Sequence, residues 1–493
     1  MNYYLVAILT LVGYFLYKYY IYPLYLSPLR KIPGPPNETF ILGNSTSILS
    51  ENQGEVYVNL KKQYGGMVRY HLLLNETNLL ISDPKLIQQI LVTRSYDFPK
   101  HFPNKISAKQ LLGEGIFFAH GDVHKRQRKM MSPSFAIGNV KEMIPTFVQS
   151  ANQLKDLWMN QIGNKKEERI TITNLVQKIT LDIIGLVGFN YEFNSTTTDS
   201  ELSRAYNSIF GGNSSFIFLG LIEYFPFLRK ISTTKNKKYW HSINTINNVA
   251  DNLIIEQKNA LIRGKDLLSL LVKSNENLPA DEQLTHNELR SQVMTLLLAG
   301  HETTSTVLTW TLYFLAKNPD IQDQLRKEIL NVFIDPNRFP SFEEIDQLKF
   351  LECVFKEALR ITPPSPLLTR YNLKDEIMNG YVIPKNTPLI IPSYAIHHDP
   401  LIWGEDVESF NPSRWLDPNI KSKISNSNFI PFSAGPRSCL GMRMAHLEIK
   451  TFLIIIIRNL KFGLVDDFTF KKRTIGLCKP VPGMDLLVSK VDH

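Results

Sequence analysis

The chain is poor in cysteine, with three in 493 residues, at Cys353, Cys439 and Cys478. Their spacing offers no disulfide framework, and zinc sites or iron–sulfur clusters need several clustered ligands. So few cysteines fit a reducing compartment, where the sequons at Asn75, Asn194 and Asn213 would stay unmodified. Gly/Ser-rich linkers, internal repeats and low-complexity tracts are lacking too, so one large domain is expected despite the length. The charged fraction is only 20% against 43% hydrophobic, which excludes a disordered chain. An acidic balance is absent, the net charge being +9. A basic chain suits nucleic acid, an anionic membrane or an acidic protein partner. No nucleic-acid motif and no basic–aromatic interleaving is present, which favours the last two.

Lys and Arg are also missing ahead of the first apolar segment, and no small-residue cleavage site follows it. Both absences argue against a cleaved signal peptide. Residues 3–17 carry no charge, and the apolar character runs past Lys18 to residue 22. That length can span a bilayer as a helix. Tyrosines at both ends suit interface anchors, and Lys18 can snorkel to the headgroups. Lys18, Arg30 and Lys31 then place the rest of the chain on the cytosolic side by the positive-inside rule. The expected organisation is a membrane anchor over 1–22, a linker with the proline-rich hinge Pro33-Gly34-Pro35-Pro36 over 23–36, and a folded domain over 37–493.

Residues 67–74 and 77–82 read as a hairpin around Asn75-Glu76. Helical periodicity dominates after Pro84, and short extended segments return near 367–371, 380–383 and 388–391. The fold class is therefore mainly α with small β-sheets. The apolar stretch 216–227 reads either as a pocket wall or as a patch that dips into a membrane.

Four blocks carry chemistry. Residues 432–441 read F-S-A-G-P-R-S-C-L-G, with an apolar helical run after them. A thiol just before a helix N-terminus sits where anions are favoured, so Cys439 is expected to lose its proton easily. Gly435 and Gly441 permit close approach and unusual backbone geometry. A lone thiolate suits the single axial ligand of a haem. Residues 299–304 read A-G-H-E-T-T inside a long helix that Thr285 and Glu288 would cap and Pro319 would close. His301-Glu302 is not a zinc motif, because Ser305 stands where H-E-x-x-H needs histidine. Alone, the block equally describes a buried helix whose hydroxyls bond back to carbonyls. Glu357 and Arg360 are three apart on one helical face, and F-N-P-S-R-W over 410–415 follows downstream. His124 to Arg128 forms a basic run, and P-P-S-P-L-L-T-R ends at Arg370. The run His397-His398-Asp399-Pro400 reads as a surface turn. Lys125, Arg126 and Lys129 read as a solvated basic face that would attract an acidic partner.

Together, and standing along the chain in the family's order, these blocks resemble the cytochrome P-450 family, in its membrane-anchored, microsomal-type form. The resemblance runs from about Pro33 to the C-terminus. It implies the family's helix-rich triangular prism plus an N-terminal transmembrane helix, single-pass in the endoplasmic reticulum membrane. It implies haem b (iron protoporphyrin IX) on Cys439, within the loop marked by Phe432, Gly435, Arg437 and Gly441. Arg437, Arg128, His124 and Arg370 would face the haem propionates; His124 stands where the family usually has Trp. Ala299, Gly300, Glu302 and Thr303 would form the oxygen-activation groove, with Gly300 leaving room for dioxygen and Glu302 and Thr303 delivering protons. Glu357, Arg360 and Arg414 would form a structural cluster. The implied activity is haem-thiolate monooxygenation, in which the thiolate favours O–O cleavage. One atom of O2 would enter a hydrophobic, lipid-like substrate. Electrons would come from NADPH through NADPH-cytochrome P-450 reductase, with cytochrome b5 as a further partner; membrane lipid is a partner and nucleic acid is not. A hydroperoxide isomerase or dehydratase of the same fold and a non-catalytic haem- or lipid-binding membrane protein are the alternatives. Residues 115–118, 296–299 and 366–368 are further candidate pocket walls.

Overall fold

Helix α1 (Asn2–Leu16) consists almost wholly of apolar residues and is exposed along its length. In this computed structural model the helical path continues as a π-type segment, Tyr17–Leu26, with Pro23 inside it. The stretch Tyr3–Lys31 is long and apolar enough to cross a membrane, and none of it is buried against the rest of the chain over its most apolar window. The structure describes residues 2–50, 52–101, 109–110, 112–198, 201–210, 222, 225–259, 264–333, 339–474 and 476–491.

The helix outruns the boundary expected at residue 22, and the segment after it is no free linker. Leu29 and Ile32 are buried in the same apolar cluster as Leu79, Ile87 and Leu389. Asn75 fixes the junction. It sits at a positive φ of 55° in the hairpin turn, and its Nδ2 donates to the carbonyls of Tyr19 at 2.9 Å and Phe40 at 3.0 Å. Its Oδ1 accepts Asn37 Nδ2 at 2.6 Å. The sequon asparagine Asn75 is thus a buried structural residue, while Asn213 lies outside the described residues.

The hairpin forms as its alternating β-favouring residues require. Strand β1 (Met67–His71) pairs antiparallel with β2 (Thr77–Ile81). Beyond the first helices come β3 (Glu168–Thr171), β4 (Leu368–Tyr371), β5 (Glu376–Met378), β6 (Tyr381–Ile383) and β7 (Pro388–Ile391). The main sheet runs β1-β2-β7-β4; β2 and β7 are parallel, which brings the first quarter of the chain beside the last. The C-terminal strands are β8 (Leu460–Gly463), β9 (Lys471–Arg473), β10 (Lys479–Val481) and β11 (Asp485–Lys490). They make a three-stranded sheet β3-β11-β8 and a ribbon β9-β10.

Helices build the body: α2 (Gly121–Met131), α3 (Ile144–Ile162), α4 (Ile172–Phe189), α5 (His286–Lys317), α6 (Lys349–Ile361) and α7 (Met442–Asn459) frame the site. Thr285 and Glu288 close a capping box at the start of α5, and the next helix opens with Pro319. α4 is apolar enough to cross a membrane by length, but it is two-thirds buried and lies along α5 as a core helix. Gly300 explains the closeness of that packing, because a Cβ there would meet Ile184 of α4 at 2.8 Å.

Two sequence expectations are corrected. His397 and His398 do not form a surface turn: both are buried, His397 completely. Arg126 does not belong to a solvated face. It reaches from α2 to Glu288 at 2.5 Å and to the carbonyls of Glu282 and Gln283, bracing the start of α5. Lys125 fits the expectation: it pairs with exposed Asp122 and lies over Tyr96.

Candidate functional site

The cysteine loop is a tight backbone structure. The N–H of Cys439 donates to the carbonyl of Phe432 at 2.8 Å, and Ser438 donates to Gly435 at 3.0 Å. Gly435 has a φ of +70°, and a Cβ there would lie 2.2 Å from the carbonyl oxygen of Leu91. Only glycine satisfies both conditions. Gly441 differs: its φ is ordinary, and a Cβ would meet only Phe135 at 3.8 Å. Its role is electrostatic, since its backbone N–H is directed to the sulfur of Cys439. Phe432 packs on His446 of α7, with ring centroids 5.2 Å apart.

The thiol of Cys439 is accessible yet lies deep among protein atoms, as a side chain does when it lines an internal cavity. Burial pushes this thiol up, while the Gly441 N–H, Lys100 and Arg128 pull it down. The helix terminus alone therefore does not make it an easy anion: desolvation outweighs the dipole, and the expectation of a lowered value is corrected. A cationic metal in contact with the sulfur reverses that balance.

Positive charge converges beside the thiol. Lys100, Arg128, Arg370 and Arg437 all act on one another's neighbourhood, and Lys100 is pushed well below its ordinary value by burial and by Arg370 and Arg437. Burial brings Arg370 down to about 9 and Arg437 down to about 10. Arg437 is buried and donates through Nη2 to the carbonyl of Ala119 at 2.6 Å, while its Nε and Nη1 have no hydrogen-bond acceptor. The Nε of Arg370 is likewise unsatisfied, with Nη1 on the carbonyl of Thr369. Arg128 of α2 clamps the loop itself, donating to the carbonyl of Ser438 at 2.5 Å. His124, one turn earlier, meets the hydroxyl of Tyr96 through Nδ1 at 3.2 Å. Burial and the nearby cations hold it at about 3, so it is neutral and serves by hydrogen bonding rather than charge.

Buried guanidinium N–H groups without acceptors are rare, because each costs a desolvation penalty. Here they flank one accessible thiol. That donor set fits a planar metal-bearing group with one soft axial contact and carboxylates on its rim, which is haem. Among the described residues no cluster of three or more His, Cys, Asp or Glu is placed to hold a metal ion by protein ligands alone. Lys100 was missed by sequence reading. It sits in S-Y-D-F-P-K-H, where nothing in the spacing marks it, and an isolated bridge to Arg370 brings it into the cluster.

α5 supplies the second wall. It is largely buried, yet Ala299 is accessible, and Thr303 one turn on is partly so. The Thr303 hydroxyl donates to the carbonyl of Ala299 at 2.7 Å. Glu302 is buried and turned away, facing Lys479 of β10 and the Nε2 of His301 at 3.5 Å. Despite burial, which raises it, His301 and Lys479 hold its carboxyl down at about 2.

The structural cluster is assembled as expected and is larger. Arg360 grips Glu357 with two bonds of 3.0 and 2.8 Å, and Arg414 adds a third at 3.2 Å. Trp415 Nε1 and the Asn411 N–H complete the carboxylate, and Asp406 takes the rest of Arg414. All three charged residues of the original triad are buried.

A sequence model of the family described as Cytochrome P450 matches residues 33–488. Cytochrome P450 monooxygenase 205 of Postia placenta is 32% identical over 491 residues, covering 92% of this chain and 90% of the relative. Cytochrome P450 monooxygenase sphH of Aspergillus fumigatus is 32% identical, covering 91% and 86%. Cytochrome P450 monooxygenase FUM15 of Gibberella moniliformis is 30% identical, covering 95% and 88%.

Proposed function

The chain belongs to the cytochrome P450 family as a monooxygenase, and from that premise we propose that it oxygenates a hydrophobic, lipid-like substrate at a membrane surface, with electrons from an NADPH-dependent reductase. The observation that carries the reading is the accessible Cys439 thiol beside the unsatisfied guanidiniums of Arg370 and Arg437. Cys439 would hold haem b through its sulfur. Lys100, Arg128, Arg370 and Arg437 would neutralise the propionates, and His124 would add a neutral donor. When bound, the haem would supply the redox chemistry by which, with two electrons from the reductase and two protons, one atom of dioxygen enters the substrate and the other leaves as water.

The chain's own part is binding, orientation and proton supply. Ala299 gives a small, accessible wall where a bulkier residue would narrow the cavity. The Thr303 Oγ1 lies at the edge of that wall, bonded to the Ala299 carbonyl, and would pass a proton onward; Glu302, turned toward Lys479, would replenish it through water rather than by direct contact. Phe117, Phe118, Leu296 and Leu367 are partly buried apolar residues that suit a greasy substrate. Most of 216–227 lies outside the described residues, but Phe225 and Phe227 are exposed, as is Ile231. Phe40 and Ile41 are exposed as well, and the ring of Phe40 lies 4.4 Å from that of Tyr20 at the base of the apolar helix. Exposed aromatics beside such a helix support anchoring, with the body on the cytosolic side. Endoplasmic reticulum is the compartment this arrangement suits.

The test is reconstitution of the full chain with haem, a reductase and NADPH in lipid vesicles, against a panel of fatty acids, sterols and terpenoids. The expected result is a red-shifted carbon monoxide spectrum, lost in Cys439→Ser, and substrate-dependent consumption of NADPH and O2. Turnover of lipid hydroperoxides without NADPH would instead assign an isomerase.

A further inference from the structure

Residues 113–119 carry Ile116, Phe117 and Phe118, apolar side chains of the proposed cavity wall, on turns rather than on a helix or strand. Such a wall has no ladder of its own to hold it in place. Its two ends are instead tied to different parts of the site. On one side the N–H of Glu114 donates to Ser291 Oγ at 3.2 Å, and the N–H of Ile116 donates to Gln292 Oε1 at 2.9 Å. On the other, the carbonyl of Ala119 accepts Arg437 Nη2 at 2.6 Å, and the Lys100 ammonium lies 4.0 Å from the centre of the Phe117 ring.

The side facing α5 is shaped for close approach. A Cβ at Gly113 would lie 2.1 Å from Ser291 Oγ, and one at Gly115 would meet the carbonyl oxygen of Ser291 at 2.8 Å. The Ser291 hydroxyl is aimed, since it donates to the carbonyl of Asn287 at 2.7 Å and so offers its lone pairs to Glu114. Gln292 is completely buried; its Oε1 is used, while its Nε2 has no hydrogen-bond partner. A buried amide that satisfies one N–H and strands another gains little net stability. What this bond supplies is direction and distance.

Gln292 stands seven residues before Ala299 on α5. Two turns of helix bring the two to nearly the same face, about 10 Å apart along the axis. The wall is therefore hung from the same rod that carries the accessible stretch at Ala299, at a set spacing from it. We propose that Gln292, with Ser291 beside it, is a positioning residue for specificity: it sets how far residues 116–118 stand from the reacting end of the cavity, and so which length of apolar chain fits between them. The inference rests on the haem site proposed above and not on the oxygenation chemistry.

The experiment titrates full-length, haem-loaded wild type, Gln292→Met, Gln292→Glu, Ser291→Ala and Gly115→Ala with 1-alkylimidazoles from butyl to dodecyl. The imidazole ligates the haem iron and shifts its absorbance, so affinity against chain length gauges the reach of the cavity without O2, NADPH or turnover. Wild type should prefer one length several-fold over shorter and longer chains. In Gln292→Met the Ile116 N–H loses its acceptor, and the preference should flatten or move to longer chains. Gly115→Ala, whose methyl group drives the segment off the Ser291 carbonyl, should do the same. Gln292→Glu keeps the one side-chain atom in use and should restore the wild-type profile. If Gln292→Met keeps that profile, or loses affinity by the same factor at every length, the bond only fastens the segment and the proposal is overturned; a flat profile in wild type overturns it as well. Should Gln292→Met fail to load haem, Ser291→Ala and Gly115→Ala are read by the same criteria. Wild type without haem would overturn the functional reading together with this inference, whereas a failed length profile overturns this inference alone.

Discussion

The Nε2 of His397 accepts the backbone N–H of Ile430 at 3.0 Å, and the carbonyl of the same histidine accepts Arg360 Nη1 at 2.9 Å. One buried residue, through its backbone on one side and its ring on the other, thus links the Glu357–Arg360–Arg414 cluster to the loop that ends in Cys439. The cluster is tied to the thiol through a hydrogen bond that requires a neutral imidazole.

His397→Ala should therefore loosen the cysteine loop while leaving the ion cluster intact. The buried Ile430 N–H loses its acceptor, at a cost of about 1–3 kcal/mol. Burial and Arg360 hold His397 at about 3 in the folded state, against about 6.5 when unfolded. Between those values the unfolded chain binds the extra proton, so stability rises with pH across that window and is lost as the ring charges. Denaturant unfolding at several pH values should show that slope reduced in the variant, together with a lower haem content. An unchanged slope would remove His397 from the linkage.

Gly435→Ala should be far more damaging than Gly441→Ala. At Gly435 the methyl group meets the backbone of Leu91 and Val92, which cannot move aside as a flexible side-chain end can, and the positive φ adds strain. At Gly441 only the edge of Phe135 is near. Haem occupancy and carbon monoxide spectra of the two purified variants measure the difference. Comparable loss in both would show that Gly441 has a demand that chain packing does not reveal.

The contrast marks how far the sequence could be read. Cys439, Arg437, Arg128, Arg370, Glu357, Arg360 and Arg414 lie in blocks with local spacing, and the capping box of α5 and the first hairpin follow from local rules. Lys100, Lys479 and His397 were not legible in the same way. Their roles depend on chain segments more than a hundred residues apart, or, for His397, on burial that a His-His-Asp-Pro string argues against. The pull on the Cys439 thiol was misjudged for a related reason: helix position is visible in sequence, whereas the depth of surrounding atoms is not. The apolar run read as far as residue 22 marks hydrophobic character and not the helix end: the helical path continues to Leu26 with Pro23 inside its π-type segment.

Lys100→Met should act in opposite directions on the haem-free and haem-loaded protein. The folded state holds the Lys100 ammonium well below its usual value, through burial first and then Arg370 and Arg437. Below its unfolded value of about 10.4 the unfolded chain binds more protons, so Lys100 makes stability rise with pH until that value is passed. Removing it should flatten the rise and stabilise the haem-free chain near neutral pH. With haem bound, the same change deletes a cationic partner of the propionates, and transfer to an apoglobin acceptor should be several-fold faster. If haem loss is unchanged, Lys100 does not face the group.

Thr303→Ala isolates chemistry from folding. The hydroxyl bonds to the carbonyl of Ala299 within its own helix, so its removal leaves the backbone ladder in place, and alanine is the better helix former. Stability and substrate affinity should therefore stay close to wild type. What is lost is the one hydroxyl on the accessible stretch of α5 that can pass a proton onward, and Glu302 does not replace it, being held toward Lys479 on another face. Product formed per NADPH should fall several-fold and peroxide should rise to match, with Thr303→Ser recovering much of the difference. Simultaneous measurement of NADPH, O2, peroxide and product is decisive, because a purely structural defect would slow all four together whereas a missing proton donor redistributes the same electrons from product to peroxide.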